Sequence, residues 1–427
     1  VYSIEEDHMD SNLIFCGTEF GVFFSPDSGG SWKELASGLP TIAVRDIAIQ
    51  RRENDLVLGT FGRGFYVMDD YSVLRSIENT QTSMDAQIFS VRDALMWEKA
   101  NPLGLPGKAF QGDNFYLADN LDPVAIFTYN YNEKFESLKS KRQKEEKKLI
   151  KDKKDVFYPS YNQLQNEVNE AKPELVFTIR DNKNNVVKKI YKKPSKGLSR
   201  FEWNLRYEDN NPIDLSSSSF YNPFAGLSEG TLVNPGAYTI DMSILKAGEI
   251  SKVVEAQSFN VVALNNTVMP AKDRDAKVEF QRKVSKLQGE MGEYSRKFSE
   301  VSNKMPYVDE AIKRVEQPID EISKMVWDVK QLIKEVSLKF YGDNIKSRLD
   351  IESYLTPYSR LGSVAYYQKY STAAPTKTHM DSYEIAKEEF QPIKLMIDNL
   401  RLKMSDLESL LKDMGAAYTP GRPKAVN

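Results

Sequence analysis

Glu19, Phe20, Phe61 and Arg63 are the residues of this sequence best suited to hold a polar ligand. They occupy two similar turns, Gly17-Thr18-Glu19-Phe20-Gly21 and Gly59-Thr60-Phe61-Gly62-Arg63-Gly64. A carboxylate, a guanidinium and two rings on one rim offer charge, hydrogen bonds and a stacking surface. Glu19 and Arg63 could equally neutralise each other, and that pairing is the simpler expectation. Glycoside hydrolysis would need two carboxyl groups about 5 to 9.5 Å apart across the scissile bond. Glu5, Glu6, Asp7, Asp69 and Asp70 sit near expected strand ends, where solvation or turn capping accounts for them. Only two histidines, His8 and His379, are present, and Cys16 is the single cysteine, so neither a metal centre nor an intramolecular disulfide is expected. No cofactor is expected either. The Gly59–Gly64 turn has no helix after it to cradle a phosphate. Asp181-Asn182-Lys183-Asn184-Asn185 puts lysine where a calcium loop needs oxygen, so it reads as a hairpin turn.

The elements around these residues repeat. Val1–Ile4, Leu13–Thr18 and Gly21–Phe24 return 42 or 43 residues later as Val44–Ile47, Asp55–Thr60 and Gly64–Val67. Between the copies stands Ser25-Pro-Asp27-Ser-Gly29-Gly-Ser-Trp32, an Asp-box of the form S-x-D-x-G-x-x-W. The short acid should bond turn N–H groups, Gly29 should take a positive φ, and Trp32 should pack back on the hairpin. Strands are expected near 1–6, 12–18, 21–26 and 32–36, then near 44–50, 55–60 and 64–69. A period in the low forties built from short strands is about one four-stranded propeller blade. Residues 1–80 are therefore expected to be the last two blades of a β-propeller. Two blades cannot close one, so the others should come from a longer form of this protein or from another chain.

Residues 86–265 carry alternating runs at 125–129, 175–179, 199–203, 238–242 and 258–262, with a loop and strand over 102–116. This pattern predicts an antiparallel β-sandwich. A charged helical insertion is expected at about 133–170, where Lys139–Asp155 holds nine Lys or Arg against four Asp or Glu. It reads first as a solvated arm and second as a surface for anionic polymers or lipid headgroups. From 271 to 415, stripes at 280–305, 312–340 and 386–414 step by three and four. They predict a three-helix coiled-coil-like bundle, with Gly342 and Gly415 as C-terminal stops and Pro318 at a helix start or kink. Residues 416–427 form a tail. The fold class is multidomain, β plus α. A net charge of −3 argues against a general nucleic-acid binder, and no apolar run reaches the roughly 18 to 20 residues of a membrane span.

The chain resembles the C-terminal portion of bacterial sortilin-type Asp-box (BNR-repeat) β-propeller proteins, often labelled glycosyl hydrolases. The likeness rests on the Asp-box, the run Thr41–Phe65, Gly104–Lys108, Phe110–Asp113 and Tyr383–Phe390. The run from Val176 to Tyr238 further resembles Ig-like modules of exported proteins. In those propellers the Asp-box lies far from the ligand face, which would collect Glu19-Phe20, Leu39-Pro40-Thr41 and Phe61-Gly62-Arg63. The resemblance implies a non-catalytic extracytoplasmic binding and assembly protein, in the periplasm, at the outer membrane or secreted. Its partners would be the missing blades, an envelope protein or a glycan. The alternative is a glycoside hydrolase, sialidase- or glucanase-like, whose active site lies mostly in blades absent from this chain. Arg45, Arg51, Arg52 and Arg63 do not reproduce a sialidase arginine cluster, so no catalytic residue is assigned.

Overall fold

The protein is a mixed β and α structure of several antiparallel sheets and about eight helices. The computed structural model describes residues 1–36, 38–77, 86–97, 122–133, 135–215, 229–264, 271, 273–369, 371 and 373–420. The expected loop and strand over 102–116, the matching runs Gly104–Lys108 and Phe110–Asp113, and the end of the tail lie outside them. The chain divides into two compact units. One holds 1–94, 124–203 and 236–262; the other holds 95–123, 204–235 and 263–427. This partition differs from a linear reading of the sequence, because residues 204–235 belong with the helices.

In the first unit, β1 (Ser3–Glu6), β2 (Ile14–Thr18), β3 (Gly21–Ser25) and β4 (Lys33–Glu34) make a four-stranded meander. β5 (Val44–Gln50), β6 (Asp55–Thr60) and β7 (Phe65–Met68) repeat three strands of it and lead into a 3-10 turn, Tyr71–Ser76. Alternation puts Leu13, Phe15, Val22 and Phe24 of the first sheet against Val44, Ile47, Leu56 and Leu58 of the second. Tyr71, Leu74 and Ile77 complete that core.

The same unit contains two more antiparallel sheets. One has the order β13 (Gly197–Trp203), β10 (Ala125–Tyr131), β8 (Ala86–Ile88). The other has the order β12 (Val186–Lys192), β11 (Glu174–Asp181), β14 (Gly236–Lys246), β15 (Glu249–Ala263), β9 (Ala94–Met96). Aromatic rings join them: Phe177 lies 4.5 Å from Phe201, Tyr129 4.8 Å from Phe177, and Phe127 5.1 Å from Phe259. Between β10 and β11 the charged insertion is two helices rather than the single one expected, α1 (Leu138–Lys151) and α2 (Tyr161–Val168). Ser160 and Gln163 form a reciprocal cap that restarts the chain as α2 after the Tyr158-Pro159 break.

The second unit is organised by α3 (Arg274–Ile312), α4 (Asp320–Tyr341), α6 (Pro357–Lys369) and α7 (Lys377–Asp413), with the short α5 (Asn344–Arg348). The three- and four-residue stripes become one continuous core, in which Phe280, Val284, Met291, Val329, Phe340, Phe390, Ile397 and Leu407 are buried. The stripes are thus covered within the chain. α6 is a fourth contributor that the sequence pattern did not single out; it buries Leu361 and Val364. Pro318 falls in the break before α4, and Gly342 (φ 93°) and Gly415 (φ 68°) end helices as expected. α3 runs through to Ile312, so the second stripe begins on the first helix rather than on its own.

Residues 207–213 lie along α3 as a strap. Asn210 donates to Ser285 Oγ at 2.9 Å, Arg282 stacks over Tyr207 at 4.4 Å, and Arg296 donates to the Ile213 carbonyl. Gly289 is what lets the backbone through: a Cβ there would stand 2.3 Å from the Asn210 carbonyl oxygen. Gly289→Ala is therefore expected to destabilise the protein by about 1 to 3 kcal/mol, seen as a lower denaturant midpoint. Gly362→Ala, on α6 with open space around its Cβ, should instead raise stability by up to about 1 kcal/mol. Equal effects from the two substitutions would contradict the strap.

Candidate functional site

The two β-meanders have chemically different ends. At one end lie the turn between β1 and β2, the Asp-box between β3 and β4, and the turn between β5 and β6. Asp27 behaves as its motif predicts: Oδ1 accepts from Ser31 N at 2.7 Å and from Ser25 Oγ at 2.7 Å, and Oδ2 accepts from Ser31 Oγ at 2.6 Å. These bonds, led by the Ser31 hydroxyl, hold its carboxyl down to about 2. Gly29 takes φ 94°, its N–H donates to Ser25 Oγ at 2.8 Å, and Trp32 lies beside it, half-exposed over the turn.

The same end holds a charged cluster that sequence reading assigned to solvation or turn capping. Asp7 is buried and receives two bonds from Arg75, Nε to Oδ2 and Nη2 to Oδ1, both 2.8 Å. Tyr71 Oη donates to the same carboxylate, as do the N–H groups of Met9 and Asp10. Arg75 also donates to Asn54 Oδ1 at 2.7 Å. Burial works against ionisation of Asp7, but the bonds from Arg75, Tyr71, Met9 and Asp10 outweigh it and hold the carboxyl at about 2. Burial, reinforced by the bond to Asp7, pushes the Tyr71 phenol above its ordinary range.

The opposite end carries the candidate residues. Glu19 and Phe20 are in the β2–β3 turn; Phe61 and Arg63 are in the β6–β7 turn, whose first N–H, Phe61, donates to the Ala43 carbonyl at 2.9 Å. The expected Glu19–Arg63 pair does not form. Glu19 accepts from the Tyr2 hydroxyl, which raises the Tyr2 phenol, and Arg63 is exposed without an ion pair among the described residues. What bridges the two repeats is Arg45 at the start of β5. Its guanidinium lies 3.8 Å from the centre of the Tyr2 ring and 5.1 Å from that of Phe61. Phe20 and Phe61 are about two-thirds exposed (69% and 68%), and Phe65, which opens β7, is 79% exposed. Tyr2 and Arg45 were not singled out as site residues, because a ring from β1 and a cation from β5 meet only once the repeats lie side by side. Their 43-residue separation, the length of the repeat, is the one signal that relates them.

A second polar surface lies on the outer face of the β12–β11–β14–β15 sheet. Alternation aims Thr178, Arg180, Thr239, Asp241 and Ser243 outward, beside Lys189 and Lys252, into an open groove of about 600 Å³. Arg180 stands 3.6 Å from Asp241 across it. The groove can accept hydrogen-bonding, negatively charged groups. Among the described residues, no group of His, Cys, Asp and Glu is arranged to hold a metal ion, and no helix is long and apolar enough to cross a membrane.

The Asp7 carboxyl is more acidic in the folded than in the unfolded chain, so its contribution is complete above about pH 4 and disappears as pH falls through about 2. Asp7→Asn should remove about 2 kcal/mol at neutral pH, by leaving the partly buried Arg75 without its counter-charge, and should flatten the loss of stability between pH 4 and pH 2. Urea unfolding followed across pH tests both; an unchanged acid limb would show that Asp7 does not carry it. Comparison with family models and with curated proteins finds no match to this chain.

Proposed function

We propose that this is a non-catalytic binding and assembly protein that works outside the cytoplasm, and that the rim formed by Tyr2, Glu19, Phe20, Arg45, Phe61 and Arg63 is its recognition face. In this reading the two meanders are blades of an Asp-box propeller. The facing sheets of 86–265 are an Ig-like sandwich, and the helices of 271–415 are a bundle that serves as platform. One observation carries it. The rim exposes Phe20 and Phe61 and an arginine held between the Tyr2 and Phe61 rings, while the tightly bonded carboxylates Asp7 and Asp27 stand at the opposite end. An aromatic and cationic rim of this kind suits planar, acidic or sugar-like groups, which stack on rings and accept from guanidinium. Glu19 is engaged by Tyr2, so it is better placed to orient that ring than to transfer a proton.

The test is to immobilise the chain and pass glycans of several classes and envelope proteins over it, then repeat with Arg45→Ala and Phe61→Ala. A retained partner should lose on the order of tenfold in affinity with either substitution, about 1.4 kcal/mol, with no product formed. Cleavage of a retained glycan would replace this reading with the glycoside hydrolase. A partner held equally well by both variants would move recognition away from the rim.

A further inference from the structure

The α1–α2 hairpin has the surface of a membrane-docking device. Neither helix buries a residue, and the pair is joined by ions: Arg142 donates to Glu167 from Nη2 at 2.9 Å and also bonds Glu146. Leu138 N donates to Glu170 at 2.9 Å, so the ends nearest β10 and β11 are held together and residues 149–161 form the far tip. There the helix is closed by Lys153 N to the Ile150 carbonyl and Lys154 N to the Leu149 carbonyl, with Lys153 at φ 54°. The chain then presents Val156-Phe157-Tyr158 before Pro159. Phe157 is 84% exposed and Tyr158 88%, and Tyr161 and Ile150 flank them, also exposed.

Apolar rings this bare, at the end of a projecting arm, leave a cost in water that something else must relieve. The surroundings say what. Lys147, Lys148, Lys151, Lys153 and Lys154 lie at and just behind the tip, all exposed, and none forms an ion pair among the described residues; Glu145, Asp152 and Asp155 oppose them, and Glu146 is taken up by Arg142. Rings at the point and cations behind it match the layered chemistry of a bilayer surface, where aromatic side chains sit at headgroup depth and lysines meet lipid phosphates. A protein partner is a poorer fit, since a stable interface takes about 800 Å² from each side and the tip offers a handful of side chains.

We propose that this tip docks the protein on a bilayer bearing anionic phospholipid headgroups, with Phe157 and Tyr158 entering the headgroup–acyl boundary and the five lysines lying on the phosphates. It does not span the membrane. The inference does not depend on the recognition rim or on its ligand.

The test is co-sedimentation of the full chain with phosphatidylcholine vesicles made with and without phosphatidylglycerol, at low and high salt. Binding should require phosphatidylglycerol and weaken with salt. Phe157→Ser with Tyr158→Ser should lower partitioning on the order of tenfold or more, and Lys151→Gln with Lys153→Gln and Lys154→Gln should do so by a similar factor. All five positions are exposed, so circular dichroism should be unchanged. The emission that Phe157→Trp adds to that of the chain's four native tryptophans should be blue-shifted with the anionic vesicles alone. Absence of sedimentation with either vesicle overturns the proposal, as does binding that survives loss of both rings or a tryptophan whose emission stays that of water.

Discussion

A buried carboxylate decides how the first part of this protein holds together. Asp7 sits where an unpartnered charge would be expelled, and it stays because Arg75, Tyr71 and two backbone N–H groups converge on it. Those partners come from both ends of the repeated region: Asp7 leaves the first strand of the first meander, and Tyr71 and Arg75 follow the last strand of the second. The cluster therefore clamps two sheets that share only a modest apolar core. Phe15 packs edge-on against Tyr71 at 5.0 Å, so the hydrophobic and ionic contacts are made by the same side chain.

The clamp also explains the division of labour between the two ends of the meanders. Structural bonding is concentrated at the Asp7 and Asp-box end, where carboxylates are saturated by donors. The other end is left with rings and guanidinium groups that contribute little to holding the sheets. Arg45 is the exception, since it lies between a ring of each meander. A ligand gripping Phe61 or Tyr2 would meet side chains already set in place by that stacking, which lowers the entropy lost on binding.

Local patterns were legible where side-chain period and turn chemistry agree. The strands of the repeated region fall within a few residues of the alternating runs, since Gly29, Gly62 and Gly64 mark turns with positive φ. The long helices followed from the spacing of Phe280, Val284, Leu287 and Met291 and its later counterparts. α6 escaped notice because Leu361 and Val364 alone are too few to declare a period, and Tyr366 and Tyr367 face water. The strap over α3 was illegible for a different reason. Its contacts join residues some 75 positions apart, and the only trace is a pair of glycines, Gly289 and Gly292, in mid-helix where propensity disfavours them. At the rim, the two turns that carry Glu19-Phe20 and Phe61-Arg63 were legible as repeats, whereas the contacts that link them, Tyr2 to Glu19 and Arg45 to the Tyr2 and Phe61 rings, were not.

The discontinuity of the two compact units has a consequence for biosynthesis. The first unit is complete only when residue 262 has been made, yet it interrupts itself at 204–235 to lend a segment to the second. That segment has no helical surface to lie on until α3, which starts at Arg274, leaves the ribosome. Neither unit can be excised as one uninterrupted stretch of gene. The two are inherited and translated as a single indivisible stretch.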